Sequence, residues 1–366
     1  MEKLKVNETP VRTSRNFLIN NIEVELEMPE KIAEFKNVQI IKETSNIEKD
    51  TAQTKGSKEK LEAKIDNSTS NKPLTYGIGK IVEQLNYETA NSKIKIQTST
   101  KKETIKIIYD FDNSNLNLIN QIEIIANGNT NVIIEYKSKT SEKCFHNGII
   151  RTIASENAQL NVTIVNLLNE ESNNFEAIEN KLEKDSKVNY TIIDIGAKTS
   201  VSNYYSNIIG ENAQNDLKSI YLGINNQKKD LNYIAELKGE KTNIDIDVQG
   251  ALKDEAKKNF KGTIDFKKGA KKAKGNENEY CMLLSNKAKS IALPMLLCTE
   301  EDVEGNHSTA SGKVDEKQLF YIMTRGISYK EAVKLIVKSK FNKIIERISD
   351  EDLKSEILNE IDKRLD

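Results

Sequence analysis

From Tyr76 to about Val303 the chain is a succession of short alternating runs with no helical stretch of three turns between them. Ile94-Lys95-Ile96, Thr104-Ile105-Lys106-Ile107-Ile108 and Val132-Ile133-Ile134-Glu135-Tyr136 are three such runs. Leu160 to Val165, Tyr190 to Ile193 and Ile244 to Val248 are three more. Each puts an apolar side chain at roughly every second position and ends in Gly, Asn, Ser or Lys, the pattern of half-buried strands. A doubly wound sheet needs a crossover helix between successive strands, so that fold is excluded and an all-β architecture remains. The tetrapeptide Glu-Asn-Ala-Gln occurs at Glu156 and again at Glu211, each time ahead of a strand. A turn unit followed by a strand, repeated along the chain, suits a solenoid of stacked coils. The strand starts near Asn161, Asn189, Lys218, Asn232, Asn243 and Thr263 are unevenly spaced. On the residues alone, β-helix and β-sandwich stand level.

A chain of 366 residues has room for two or three domains. We divide it into an N-terminal segment, 1–42, a flexible linker, 43–75, a β core, 76–303, and a C-terminal helical domain, 304–366. In the first, Pro29 followed by EKIAEF suits the opening turn of a short helix. Arg12 and Arg15 read as surface arginines. Between Glu43 and Lys72 apolar residues are too sparse to offset the entropy of ordering, so at most one short helix is expected there, around Lys58–Ile65. Lys plus Arg (55) nearly balances Asp plus Glu (56), and no basic patch is interleaved with aromatics, which argues against a nucleic-acid partner. No apolar stretch approaches the ~20 residues of a spanning helix, and MEKLKVNETP has no apolar signal core. Three widely spaced cysteines do not form a disulfide framework. A cytoplasmic protein without a membrane partner is expected.

The C-terminal region reads as helices. Asp315 with Gln318, and Ser328 with Glu331, have the spacing of capping boxes, and Ser349 is placed to cap a last helix. Leu319, Ile322 and Met323, then Ala332, Leu335, Ile336, Phe341, Ile344, Ile345 and Ile348, then Leu353, Ile357, Leu358, Ile361 and Leu365 keep helical spacing. Gly326 sits where a helix stops. These helices are expected to lie over the end of the strands, closing an edge, or to present a partner-binding face.

Ahead of them stands EEDVEGNHSTASGKVDEKQLFYIMTRG, Glu300 to Gly326. It carries His307, one of two histidines in the chain, in what reads as a polar turn behind four acidic residues, Glu300, Glu301, Asp302 and Glu304. The segment resembles the C-terminal signature of the SufB/SufD family of iron–sulfur cluster assembly proteins. The resemblance rests on Asp302, Val303, His307, Gly312, Asp315, Glu316, Leu319, Phe320, Tyr321, Arg325 and Gly326, with the spacing from His307 to Arg325-Gly326 kept. Weaker likeness extends through FKGTIDF and LLSNKAKS, and TPVRTSRNF is similar to the family's entry segment. The resemblance implies a right-handed parallel β-helix, and that is the fold expected here. It also implies a SufB-type paralogue or a second copy as partner. A SufC-type ABC ATPase is implied on the helical region, for which Leu319, Phe320, Tyr321, Arg325 and Gly326 are docking candidates. In the family, the histidine is implicated in nascent cluster formation where two β-helix proteins meet.

A neutral imidazole is a good iron ligand and nearby carboxylates can add to it, which makes His307 and Glu304 candidates for an iron or transient-cluster site. Cys281 lies in the strand where the SufB branch carries its key cysteine, and thiolates are the usual cluster ligands. Cys298, flanked by Leu296 and Leu297, reads as a buried small hydrophobe, and Cys144 has no motif around it. The SufB branch has glutamates on both sides of the histidine, where this chain has Asn306 and Ser308. Many SufD-type proteins have Cys-Ser before it, where this chain has Gly305-Asn306. These departures favour a SufD-like, non-enzymatic subunit lending His307 to a shared site. The alternatives are a homodimeric scaffold using Cys281 and His307, and a β-helix enzyme acting on polysaccharide. No Walker A, GxGxxG, HExxH or GxSxG sequence is present, so nucleotide chemistry belongs to a partner. The sequence is silent on a flavin.

Overall fold

The computed structural model describes residues 2–13, 19–26, 29, 32–46, 55–61 and 72–366. It begins with β1 (Glu2–Val6), β2 (Ile22–Leu26), β3 (Val38–Asn46), β4 (Lys55–Leu61), α1 (Lys80–Thr89) and β5 (Ser92–Gln97). Next come β6 (Lys102–Phe111), β7 (Asn117–Ala126), β8 (Asn129–Ser138), β9 (Phe145–Ala154), β10 (Gln159–Leu167), β11 (Asn173–Leu182) and β12 (Lys187–Asp194). Then follow β13 (Thr199–Ile208), β14 (Gln214–Gly223), β15 (Lys228–Leu237), β16 (Asn243–Leu252) and β17 (Lys257–Phe266). The chain closes with β18 (Ala273–Leu283), β19 (Lys289–Cys298), β20 (Val303–Lys313), α2 (Glu316–Met323), α3 (Tyr329–Ile345) and α4 (Glu351–Leu365).

From β6 onward, even-numbered strands stack in one sheet and odd-numbered strands in another, every pair parallel, so the chain is a two-sided parallel β-solenoid of about eight turns. The first sheet runs β20-β18-β16-β14-β12-β10-β8-β6 and continues antiparallel into β3 and β4, and the second runs β19-β17-β15-β13-β11-β9-β7-β5. The sandwich that alternation left open is thereby excluded. The repeated Glu-Asn-Ala-Gln marks one corner of the coil. Asn157 and Asn212 take positive φ there (62° and 59°), as do Asp185, Lys241 and Lys272 at the same corner of other coils. Asn and Asp tolerate that conformation better than other side chains. Each of these residues donates its backbone N–H to the corner carbonyl of the next coil, Asn157 to Lys184, Asp185 to Glu211 and Asn212 to Glu240. Ala158 and Ala213 follow, fully buried. Corner loops differ in length, so residues in register recur unevenly in the sequence.

Leu160, Val188, Leu217 and Ile244 fill the interior, with Tyr190, Tyr204, Tyr233 and Phe260 meeting edge to face. The outer face of the odd-numbered sheet is covered by β1, β2 and α1, where Val6, Val24 and Val82 pack on Ile119, Phe175 and Val201. The outer face of the even-numbered sheet is covered by α3 and α4, where Phe341, Ile344 and Ile361 pack on Val165, Ile193 and Ile220.

Several expectations are corrected. The C-terminal helices lie along the flank of the solenoid and not over its end, because the apolar columns they match are outward-facing ones. The end coil, β19 and β20, carries no further strand among the described residues. Within the stretch read as a linker, Lys55–Leu61 is a strand paired antiparallel with β3, where it overlaps the helix expected around Lys58–Ile65; residues 62–65 lie outside the described residues. Residues 32–37 have no regular structure, where a short helix was expected from Pro29; Glu30 and Lys31, like Arg15, lie outside the described residues. Helix α1 was not expected at the start of the β core. The last helix is capped by Asp350, which accepts from the Leu353 N–H, and not by Ser349. Asp315 and Ser328 cap α2 and α3 as expected.

Candidate functional site

His307 lies in the middle of β20, not in a turn. It stands in register with Glu277 of β18. Residues in register in a parallel pair face the same side. Glu277, Glu279 and Cys281 are all buried in the interior, while Lys274, Asn276 and Asn278 face out. The imidazole therefore takes an inward position of the last coil and is exposed because that coil is open. Two outward contacts fix the register beside it. Asn306 donates to Asn276 across 3.1 Å and Ser308 to Asn278 across 2.7 Å.

Glu304 is on the opposite face, paired with Lys274 at 3.0 Å. Cys281 shares the inward face but stands in register with Ser311, four residues beyond His307, or about 13 Å along the strand. Burial raises its thiol pKa against the opposing influence of Lys258. Cys144 is buried, and burial raises its thiol likewise. Cys298, expected to be buried, is exposed at the end of β19, its thiol donating to the Glu300 carbonyl at 2.9 Å. It stands in register with the buried Phe266, an inward position like that of Leu296, and is exposed because the end coil leaves that side open. No group of three or more His, Cys, Asp or Glu side chains that could hold a metal ion occurs among the described residues.

Beneath the last coil lies a polar layer that alternation did not reveal. Lys258 pairs with Glu279 at 2.8 Å, and the Tyr221 hydroxyl donates to the same carboxylate at 2.7 Å. Glu277 is fully buried, and neither of its carboxyl oxygens has a hydrogen-bond partner. Burial, with the charge of Glu279 adding to it, pushes its pKa up to about 8. In sequence, Asn276-Glu277-Asn278-Glu279 has no apolar alternation to mark which side faces inward.

On the flank, Leu319 is buried in the apolar cluster that the C-terminal helices form with the outer face of the sheet, whereas Phe320 (71% exposed) and Tyr321 (58%) project into solvent. Arg325 stacks over the Tyr321 ring, 4.6 Å from its centroid. Met323, Tyr329 and Leu335 are exposed nearby. Gly326 has φ 85°, the conformation that ends α2. No helix among the described residues is long and apolar enough to cross a membrane.

Residues 110–340 match the family described as "SUF system FeS cluster assembly, SufBD core domain". The chain is 25% identical over 265 residues to the iron–sulfur cluster assembly protein SufD of Bacillus subtilis, covering 71% of this chain and 61% of that one. It is 31% identical over 186 residues to a SufBD family protein of Pyrococcus horikoshii, covering 50% of this chain and 41% of the other. To SufD of Escherichia coli it is 29% identical over 114 residues, 31% of this chain and 27% of that one. The chain thus spans less than two thirds of the length of each of these relatives. With more than half of its residues inside the core-domain match, the chain belongs to the SufBD family of the SUF iron–sulfur cluster assembly system.

Proposed function

We propose that this protein is a non-catalytic subunit of an iron–sulfur cluster assembly complex. It contributes His307 to an iron or nascent-cluster site shared with a second β-solenoid, a SufB-type paralogue. The observation that carries this reading is the inward-facing imidazole on an open terminal coil. There it is exposed, held by a rigid strand, and short of the donors one cluster requires. A second solenoid set end to end against β19 and β20 supplies the missing donors and covers unpaired strand edges. A SufC-type ATPase is assigned to the exposed face of α2, where Phe320, Tyr321 and Arg325 have the aromatic and arginine character of interface anchors. Leu319, whose side chain is buried, is withdrawn from that face.

The homodimeric scaffold using Cys281 and His307 is disfavoured by the separation of about 13 Å along the strand and by the burial of the thiol. The test is cluster build-up on the purified complex. With His307→Ala, the complex is expected to assemble normally while cluster loading falls at least tenfold. Undiminished loading refutes the role. Co-purification of an ABC-type ATPase in the presence of nucleotide tests the other interface.

A further inference from the structure

Every other buried carboxylate among the described residues meets a lysine or a tyrosine hydroxyl. Glu277 meets neither, although it is fully buried and one strand inside the open end. Native interiors satisfy such groups, so a carboxyl without a partner asks for one that has been left out. The room it occupies has a definite origin. A Cβ on Gly262 of β17 would lie 2.1 Å from Oε1 of Glu277, so the carboxyl fills the space that glycine leaves empty. In register above Gly262 is Pro294, and in register above Glu277 is His307.

We propose that Glu277 is a second ligand, beside His307, for a divalent transition-metal cation such as ferrous iron entering at the open end of the solenoid. The proposal rests on the reading of His307 as an iron-site residue and adds to it a donor from within this chain. The two side chains leave adjacent strands on the same face, about 4.8 Å apart at the backbone. Rotation of the glutamate from its place beside Gly262 toward the imidazole brings oxygen and nitrogen onto one ion at about 2.0–2.2 Å each. Two protein donors leave the remaining positions to a partner or to sulfide. That arrangement suits an ion that is received and passed on.

The experiment is anaerobic titration of the full chain with Co²⁺ alone, read by visible absorption and calorimetry. Wild type is expected to bind one ion, and Glu277→Gln and His307→Ala each to weaken it at least tenfold. Glu304→Gln, on the opposite face, is expected to change nothing. Gly262→Ala, which fills the carboxyl's resting place and so favours the rotated position, is expected to tighten binding severalfold. It serves as the second probe should Glu277→Gln melt earlier than wild type without metal. If Glu277→Gln and Gly262→Ala both bind as wild type while His307→Ala does not, a trapped water suffices for the carboxyl. The proposal is then overturned while the role of His307 stands. A wild-type chain that binds no Co²⁺, or undiminished binding by His307→Ala, overturns both.

Discussion

Tyr136 donates its hydroxyl to Glu176 across 2.9 Å in the solenoid interior, and burial pushes the Glu176 pKa up to about 8. An unfolded glutamate loses its proton near 4.5. Between those values the folded state binds more protons than the unfolded one, so this residue's contribution to stability declines as pH rises from about 4.5 to 8. The loss is on the order of a few kcal/mol. Glu176→Gln is expected to be gained on by wild type at pH 5 and to outlast it at pH 8 in parallel thermal melts. A difference in Tm that is the same at both pH values would show that Glu176 ionises as an ordinary surface acid. Interior polar groups of this kind are what the sequence conceals. Lys229, Lys258, Glu277 and Glu279 are charged letters in strands, and alternation assigns such letters to the outside. Their actual sides depend on pairing partners a coil away, Asp194 and Glu279 for the two lysines. No local pattern encodes those.

Four elements illustrate where local sequence suffices and where it does not. Central strands such as β10 and β16 were legible because one face packs inside the coil and the other is polar. Strand β20 was not. Its sequence, VEGNHSTASGK, has hardly an apolar side chain on either face, because its inward side opens to solvent at the end coil and has no core to fill. A strand without a buried face lacks the period-2 signal, and the sequence around His307 accordingly reads as a turn. Helix α2 was legible as a helix but not in its facing, since Leu319, Phe320 and Tyr321 are consecutive and point in three directions. The structure turns this into a contrast. Leu319→Ala is expected to cost about 2–3 kcal/mol of stability by urea unfolding. Phe320→Ala or Tyr321→Ala is expected to leave stability within about 0.5 kcal/mol while weakening ATPase capture at least tenfold. The β1–β2 hairpin offers a second case. Lys261 donates to Asp230 at 2.6 Å and to the Asn7 carbonyl at 2.7 Å, and Asn7 donates to Asp230 at 2.6 Å, all buried. Lys261→Met strands the Asp230 charge, with an expected cost of about 3–5 kcal/mol and early proteolytic release of the hairpin.

A solenoid's coils touch only their neighbours, so stability along it is a sum of coil and interface contributions, and the end coil has one interface where inner coils have two. The helices on the flank support the even-numbered sheet from β6 to β14, through pairs such as Lys106–Asp350 and Arg347–Asp216, both of which lie short of β20. Hydrogen exchange is therefore expected to be slowest in β10–β13 and to quicken toward β19 and β20. The two rims at the open end are also unequal. In β19 the backbone N–H of Lys289, and past its end that of Thr299, bond to the coil beneath. In the alternating parallel ladder the even residues then face the open side, Pro294 among them, and proline has no N–H to give. β20 contains no proline, so its rim is uninterrupted. Sheet growth across the open end is accordingly favoured on β20. Adding the paralogue is expected to slow exchange in β20 at least tenfold and in β19 by less, with β10–β13 unchanged. Equal protection of both strands would show an end-on contact made by side chains without strand pairing. Protection confined to α2 and α3 would place the second solenoid on the flank and leave the His307 face uncovered.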